Sequence, residues 1–455
     1  MEFIIKAGQL LLSLSLLVLL HEFGHFIFAR LFKTRVEKFY LFFNPWFSLF
    51  KIKKGETEFG IGWLPLGGYC KISGMIDESM DKEQMKQAPK PYEFRSKPAW
   101  QRLFIMLGGV FFNFLTAFFI YSMVLFTWGD KYTPTANVKY GIICDTLAMD
   151  MGLRNGDMVL GVNNNEVEDF AKIFPEIIYQ NGKTIQIKRN GEKMDIAVPE
   201  GFIGQYIERR RYLKENFPKY INFIEKGIPF YIRKFKEGSV GEKAGLKIGD
   251  RVVGLNNESL LFFQEFAMML PKIDSKDIIV SVDRNGELLD YSITLDENME
   301  LGAFWVEKDP ETEFDELFAR KTIKYGFFAS FPAGIKRGTE TISSYLKDLK
   351  LIFSPKTKAY KSLGGFIAIG NIFPAQWDWR AFWLMTALIS IMLAVLNLLP
   401  IPALDGGHVI FLIFELVTGR KPADKFLEYA QIVGMILLLA LVVFANGNDI
   451  IKLFR

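Results

Sequence analysis

His21-Glu22-Phe23-Gly24-His25 reads H-E-x-x-H and lies inside an apolar run from about Phe3 to Phe32. On a helix, residues four apart share a face, so the two imidazoles point the same way. Imidazoles so placed suit one zinc ion, with Glu22 beside them as general base. Polar and ionisable groups within a membrane span are costly and are tolerated mainly where they line a functional interior. The competing reading is a polar helix end at the interface. The run is long enough to cross a bilayer. It carries no small-residue cleavage site, and the motif lies within it, so it reads as a retained first span (1–32) and not a signal peptide.

Around that span, 455 residues leave room for several domains. Half the residues are hydrophobic and 23% are charged, too apolar for an ordinary soluble protein and too charged for a pure membrane bundle. A net charge of +4 is small for this length and implies no nucleic-acid partner. The two cysteines, Cys70 and Cys144, fall in segments expected on opposite sides of the membrane, so two free thiols are expected.

Residues 33–101 have the Lys/Arg excess of a cytoplasmic loop. Within them, Phe59-Gly60-Ile61-Gly62-Trp63-Leu64-Pro65-Leu66-Gly67-Gly68-Tyr69 is apolar, too short to span and rich in Gly and Pro. It suits a β-hairpin near 59–75, dipping toward the membrane or lying on its surface. The charged stretch 77–98 reads as an exposed loop with a short helix. A second span follows at 102–128, where Gly108-Gly109 and Asn113 suit close helix packing.

Residues 130–300 contain a repeat. Gly152-Leu153-x-x-Gly156-Asp157 recurs as Gly245-Leu246-x-x-Gly249-Asp250, and Arg189-Asn190-Gly191-Glu192 recurs as Arg284-Asn285-Gly286-Glu287. Short apolar alternations and Asn-Gly turns make each copy a β-rich module, expected over 130–205 and 206–300. The segment 301–379 is mixed. Phe314 to Lys324 and Glu340 to Phe353 read as amphipathic helices, and Trp377 and Trp379 mark an interface belt.

A third span, 380–418, is broken at Asn397-Leu398-Leu399-Pro400-Ile401-Pro402-Ala403-Leu404-Asp405-Gly406-Gly407-His408, and a fourth covers 429–447. Irregular backbone at membrane depth is tolerated where it is buried in protein or lines a cavity. Catalytic zinc takes three protein ligands and keeps one position open. With His21 and His25 as two, the third is His408 or a carboxylate, and Asp405 is the carboxylate of the broken stretch. The alternative for Asp405 is an N-cap at the helix restart.

H-E-F-G-H together with N-x-x-P-x-P-x-L-D-G-G-H resembles the site-2 intramembrane metalloproteases. The tandem repeats resemble PDZ domains, which points to the RseP-type branch, and Leu64 to Tyr69 resembles that branch's membrane-reentrant β-hairpin. The resemblance covers nearly the whole chain. It implies Zn2+ held by His21, His25 and Asp405, with Glu22 catalytic, and a substrate channel shaped by Asn397, Pro400 and Pro402. Gly109 and Asn113 match the family's G-x-x-x-N, whereas Gly364-Gly365-Phe366-Ile367 departs from its Gly-Pro-Ile.

The expected fold is thus a polytopic α-helical membrane protein of about four spans, with a reentrant β-hairpin and two extracytoplasmic PDZ-like domains. Its expected place is the inner (cytoplasmic) membrane. The expected activity is zinc-dependent cleavage of transmembrane protein substrates, such as anti-sigma factors or remnant signal peptides. Gly67 and Gly68 are expected at the hairpin edge that takes the unwound substrate. The alternatives are a membrane chaperone or scaffold with a vestigial site, and a zinc transporter. No further intramembrane acids or histidines mark a pathway for the latter.

Overall fold

The computed structural model describes residues 1–75, 88–179, 182–216, 220–355 and 357–453. Residues 77–87, half of the expected 77–98 loop, therefore lie outside the described residues. The chain divides into two units. One comprises Met1–Gly129, Lys324–Leu349 and Leu363–Arg455; the other comprises Asp130–Ile323 and Lys350–Ser362.

In the first unit, four helices among the described residues are long and apolar enough to cross a membrane. They are α1 (Glu2–Leu31), α2 (Ala99–Trp128), α3 (Trp379–Leu398) and Lys425–Ile451 within α5 (Asp424–Leu453). Between α3 and α5 lies the shorter α4 (Asp405–Thr418), after an irregular connection at 399–404. The chain is a multi-pass membrane protein with several β-sheets.

The helix α2 is the hub. Against α1 it crosses at Gly24 and Gly108, where a Cβ on either glycine would overlap the other's backbone. Ala117, Ile120, Tyr121 and Val124 pack on Ala387, Ile391 and Val395 of α3. Ile105 and Met106 share a buried cluster with Val409 and Leu412 of α4. Lipid tails are as apolar as leucine, so such helices associate through close packing and polar contacts and not by excluding water. Glycines at the crossing and a buried Ser390 Oγ–Asn113 O hydrogen bond of 2.7 Å supply both.

The Gly/Pro-rich stretch differs from expectation. Phe59 to Tyr69 is not itself a hairpin but part of one strand, β2 (Thr57–Ile72), paired with β1 (Val36–Lys54). The turn falls at Gly55, whose φ is +63°. Its glycines serve close packing within the sheet: a Cβ on Gly60 would overlap the Tyr40 ring, and one on Gly62 the Phe43 carbonyl. Phe39 is partnered on both sides, by Cys70 and by Phe59.

The expected amphipathic helices also shift. Pro310–Leu317 is helical, but Lys321–Ile323 is a strand paired with Asp130–Tyr132. The next helix is Phe327–Ile352, longer than read, and it carries Pro332. Its glycines, poor helix formers in isolation, are contact sites: Gly334 abuts Ser122 and Gly338 abuts Phe118. At 364–368, Asp449 accepts the backbone N–H groups of Gly365 (2.8 Å) and Ala368 (2.9 Å), and Asn446 accepts that of Phe366 (3.1 Å). A proline at 365 has no N–H to give Asp449, so Gly365 suits this chain's own partner.

The second unit holds two four-stranded antiparallel sheets of the same order. One runs Asn165–Glu166, Met158–Val162, Thr184–Arg189, Glu192–Ala197; the other runs Glu258–Ser259, Arg251–Leu255, Asp277–Arg284, Glu287–Thr294. The repeated signatures meet in space. Arg189 holds Asp157 through two 2.7 Å bonds and the Gly152 carbonyl through a third. Arg284 repeats this with Asp250 (2.7 Å twice) and the Gly245 carbonyl (3.0 Å). The Asn-Gly pairs turn the hairpins with positive φ at both residues, 51° and 91° in the first copy and 56° and 88° in the second. The first core takes in Tyr206, Phe223 and Ile224, beyond the 205 boundary expected from the repeats, and the second begins at Phe230.

Candidate metal centre

His21 and His25 lie on one face of α1, one turn apart, with ring centroids 4.9 Å apart. Asp405 is the first residue of α4 and comes to them across the bundle. Leu404 is the N-cap of that helix and makes no side-chain cap bond, so Asp405 does not act as the cap. Its Oδ2 lies 3.2 Å from His21 Nε2 and 3.4 Å from His25 Nε2, and the two Nε2 atoms are 3.3 Å apart. Among the described residues these three form the candidate metal cluster. His408, the alternative third member, lines the same cleft without joining it.

Three ligand atoms held by one tetrahedral ion at the usual bond lengths of about 2.0–2.2 Å lie roughly 3.3–3.6 Å apart. The observed triangle has that size. Asp405 Oδ2 is buried and accepts no hydrogen bond, an expense that a cation relieves. Two nitrogens and one carboxylate oxygen are also a donor set that zinc takes. The residues fit the ion.

Both imidazoles are held from α2. His25 Nδ1 donates to the Ile105 carbonyl at 2.9 Å, which leaves the Nε2 lone pair facing Asp405. His21 Nδ1 lies 3.2 Å from the Asn113 side-chain amide. Gly109 sits one turn from each partner, and a Cβ there would lie 2.5 Å from His25 Nε2 and 2.6 Å from His21 Cε1. The spacing Ile105, Gly109, Asn113 therefore forms one cradle along α2. From the sequence, Gly109 and Asn113 suit close helix packing, with a buried Asn able to bond across helices, and match the family's G-x-x-x-N. Nothing there points to Ile105, whose part is played by a backbone oxygen that no side-chain pattern reveals.

Glu22 faces the same cleft, whose volume is about 660 Å³. Cys70, on β2, lines the cleft beside it. Gly68 lets β2 approach: a Cβ there would lie 2.8 Å from Val18 and 3.4 Å from Glu22 Cγ. Asn397, Gly67 and Gly68 line the cleft. Pro400 and Pro402 do not; Pro400 is exposed, and Pro402 is pressed against Gly407 and Gly434.

A family model described as peptidase family M50 matches residues 9–441. Over the full length of both chains, the sequence is 29% identical to the regulator of sigma E protease of Haemophilus influenzae. It is 26% identical to protease RseP of Yersinia pestis, again with 100% of each chain covered. The chain belongs to peptidase family M50, a zinc-dependent family of metalloproteases.

Proposed function

We propose that this protein is an intramembrane endopeptidase in which His21, His25 and Asp405 hold the zinc and Glu22 is the general base. The observation that carries the reading is the 3.2–3.4 Å triangle with its orphaned Asp405 oxygen, beside Glu22 and among membrane-length helices. When bound, zinc supplies Lewis acidity and an activated water at neutral pH.

The chain's own groups do the rest. Glu22, facing the cleft, takes a proton from the attacking water and passes it to the leaving amine. Asn113 and the Ile105 carbonyl keep the two imidazoles aimed at one point. A substrate helix hides its peptide bonds in its own hydrogen bonds, so it unwinds before it is cut. The backbone edge of β2 at Gly67, Gly68 and Tyr69 lines the cleft and is suited to pair with the unwound strand. Asn397 is placed to bond its exposed amides.

The substrates of this reading are single-span membrane proteins, such as anti-sigma factors, or remnant signal peptides in the inner membrane. The β1–β2 hairpin is membrane-reentrant, and the two repeats are PDZ-like domains on the extracytoplasmic side that filter or dock substrates by size. The test is incubation of the zinc-loaded protein in proteoliposomes with a model single-span substrate. The expected result is a cut mapped within the apolar segment and stopped by chelation. Binding without cleavage would favour a scaffold, and zinc flux without cleavage a transporter.

A further inference from the structure

The helix that brings Asp405 to the histidines is not continuous with α3. The connection at 399–404 is irregular, with only short-range backbone bonds such as Ile401 N–Leu399 O (2.7 Å) and Leu404 N–Ile401 O (3.1 Å). Helix continuity with α3 therefore does not set the rotation or height of α4. Its seam with α2 is apolar, Val409 and Leu412 against Ile105 and Met106. Apolar burial is non-directional, so a slide or small rotation strands no charge.

The ion pair between Arg102 and Glu415 does not tolerate it. At the far end of the same seam, Arg102 Nη2 donates to Glu415 Oε1 at 2.5 Å, with the two side chains only 8% and 17% exposed. Arg102 is itself held: its Nε donates to the Lys97 carbonyl at 2.9 Å, and its guanidinium lies 6.0 Å from the centre of the Phe94 ring. A buried ion pair contributes little stability over a well-packed apolar pair, because desolvation offsets the attraction. What it supplies is a single geometry, since a displacement of a few ångströms strands both charges in low dielectric. Asp405 and Glu415 are ten residues apart on α4, about 15 Å along its axis. The other partner of the pair sits on α2, the helix that cradles His21 and His25.

We propose that Arg102 and Glu415 are positioning residues: their ion pair locks α4 in register on α2 and thereby sets Asp405 against His21 and His25. This rests on the reading of those three residues as the zinc ligands. The test uses the full-length protein in detergent. Rate of zinc loss to a chelator, thermal unfolding, and kcat and KM on a model span are measured for Arg102→Met, Glu415→Met, the double Met variant and the swap Arg102→Glu/Glu415→Arg. Asp405→Ala is the reference. The single variants are expected to lose zinc about tenfold faster or more and to lower kcat with KM unchanged. The swap should restore retention at least in part. The decisive variant is the double Met: it should unfold no more easily than wild type yet release zinc as fast as the single variants. It remains informative even if the single variants misfold. Wild-type zinc retention in the double Met variant would overturn the proposal and leave the pair a stabilising contact only. Full zinc retention in Asp405→Ala would instead overturn the ligand assignment beneath it.

Discussion

Asn113 and His21 face each other across the α1–α2 crossing, the side-chain amide 3.2 Å from Nδ1, while Nε2 of the same ring faces Asp405. With Nε2 turned to a metal, Nδ1 carries the proton and needs an acceptor. Asn113 Oδ1 is buried and otherwise without a partner. Turning the amide over, so that Oδ1 meets Nδ1–H, satisfies both groups. Asn113→Leu keeps the volume and the backbone carbonyl that Ser390 uses, but removes that acceptor. Zinc affinity should fall about 10- to 100-fold, measured by chelator competition. Unchanged affinity would show that Asn113 only packs.

Glu22→Gln keeps the shape of the cleft but cannot take a proton. Zinc content should stay at the wild-type level while cleavage of a model span falls by about 10²- to 10⁴-fold. A mutant that cuts at a rate comparable with wild type would remove Glu22 from the mechanism.

Asp405 and His408 are separated by zinc content. Asp405→Ala leaves two histidines, so zinc should be lost and activity with it. Asp405→Asn should also bind zinc poorly, because the amide lacks the charge the ion prefers. A mere helix cap would cost only about 0.5–2 kcal/mol of stability on replacement by Ala and spare the metal. His408→Ala should retain zinc, since His408 lies outside the triangle. Loss of zinc in His408→Ala alone would reverse the assignment.

A fragment of residues 130–323 should fold by itself and show acid sensitivity traceable to Asp250. Burial alone raises that carboxyl, but the bonds from Arg284 and from the Lys247 N–H outweigh it and hold it below the ordinary 3.8. A carboxyl lower in the folded than in the unfolded state stabilises the fold above its ordinary value, and that contribution is lost as pH falls through the folded one. The unfolding midpoint should therefore drop as pH goes from about 5 to below 4. Asp250→Asn should flatten that dependence and lower the midpoint at neutral pH. An unaltered pH profile in the mutant would assign the acid sensitivity elsewhere.

Cys144 is a poor reporter of topology, because it is buried and its thiol is pushed up to about 12. It should resist an impermeant maleimide in the native protein and react once unfolded. Leu288 is 73% exposed, so Leu288→Cys should label quickly from the extracytoplasmic side of intact cells. Labelling only after the membrane is opened would place the repeats on the other side.

The sequence by itself determined what depends on local period. Apolar runs of membrane length made the spans legible, and the four-residue spacing put His21 and His25 on one face without any tertiary contact. The paired Gly-Leu-x-x-Gly-Asp and Arg-Asn-Gly-Glu signatures showed two copies of one module, and the Asn-Gly turns announced themselves because few other residues accept positive φ. Tertiary structure decided what depends on which faces meet. Asp405 and His408 lie three residues apart in the same restart, and only the seating of α4 on α2 turns the first toward the histidines. The parts of Ile105 and Asn113 exist only because Gly24 and Gly108 let α1 and α2 cross closely. Phe59 to Tyr69 looked like a hairpin because its Gly and Pro are turn residues, yet Phe59 pairs with Ile52 across the Gly55 turn while Tyr69 pairs with Tyr40, 29 residues earlier. Strand pairing over such a distance leaves no mark in a local pattern, since the hydrogen bonds that decide it join backbone groups common to every residue but proline.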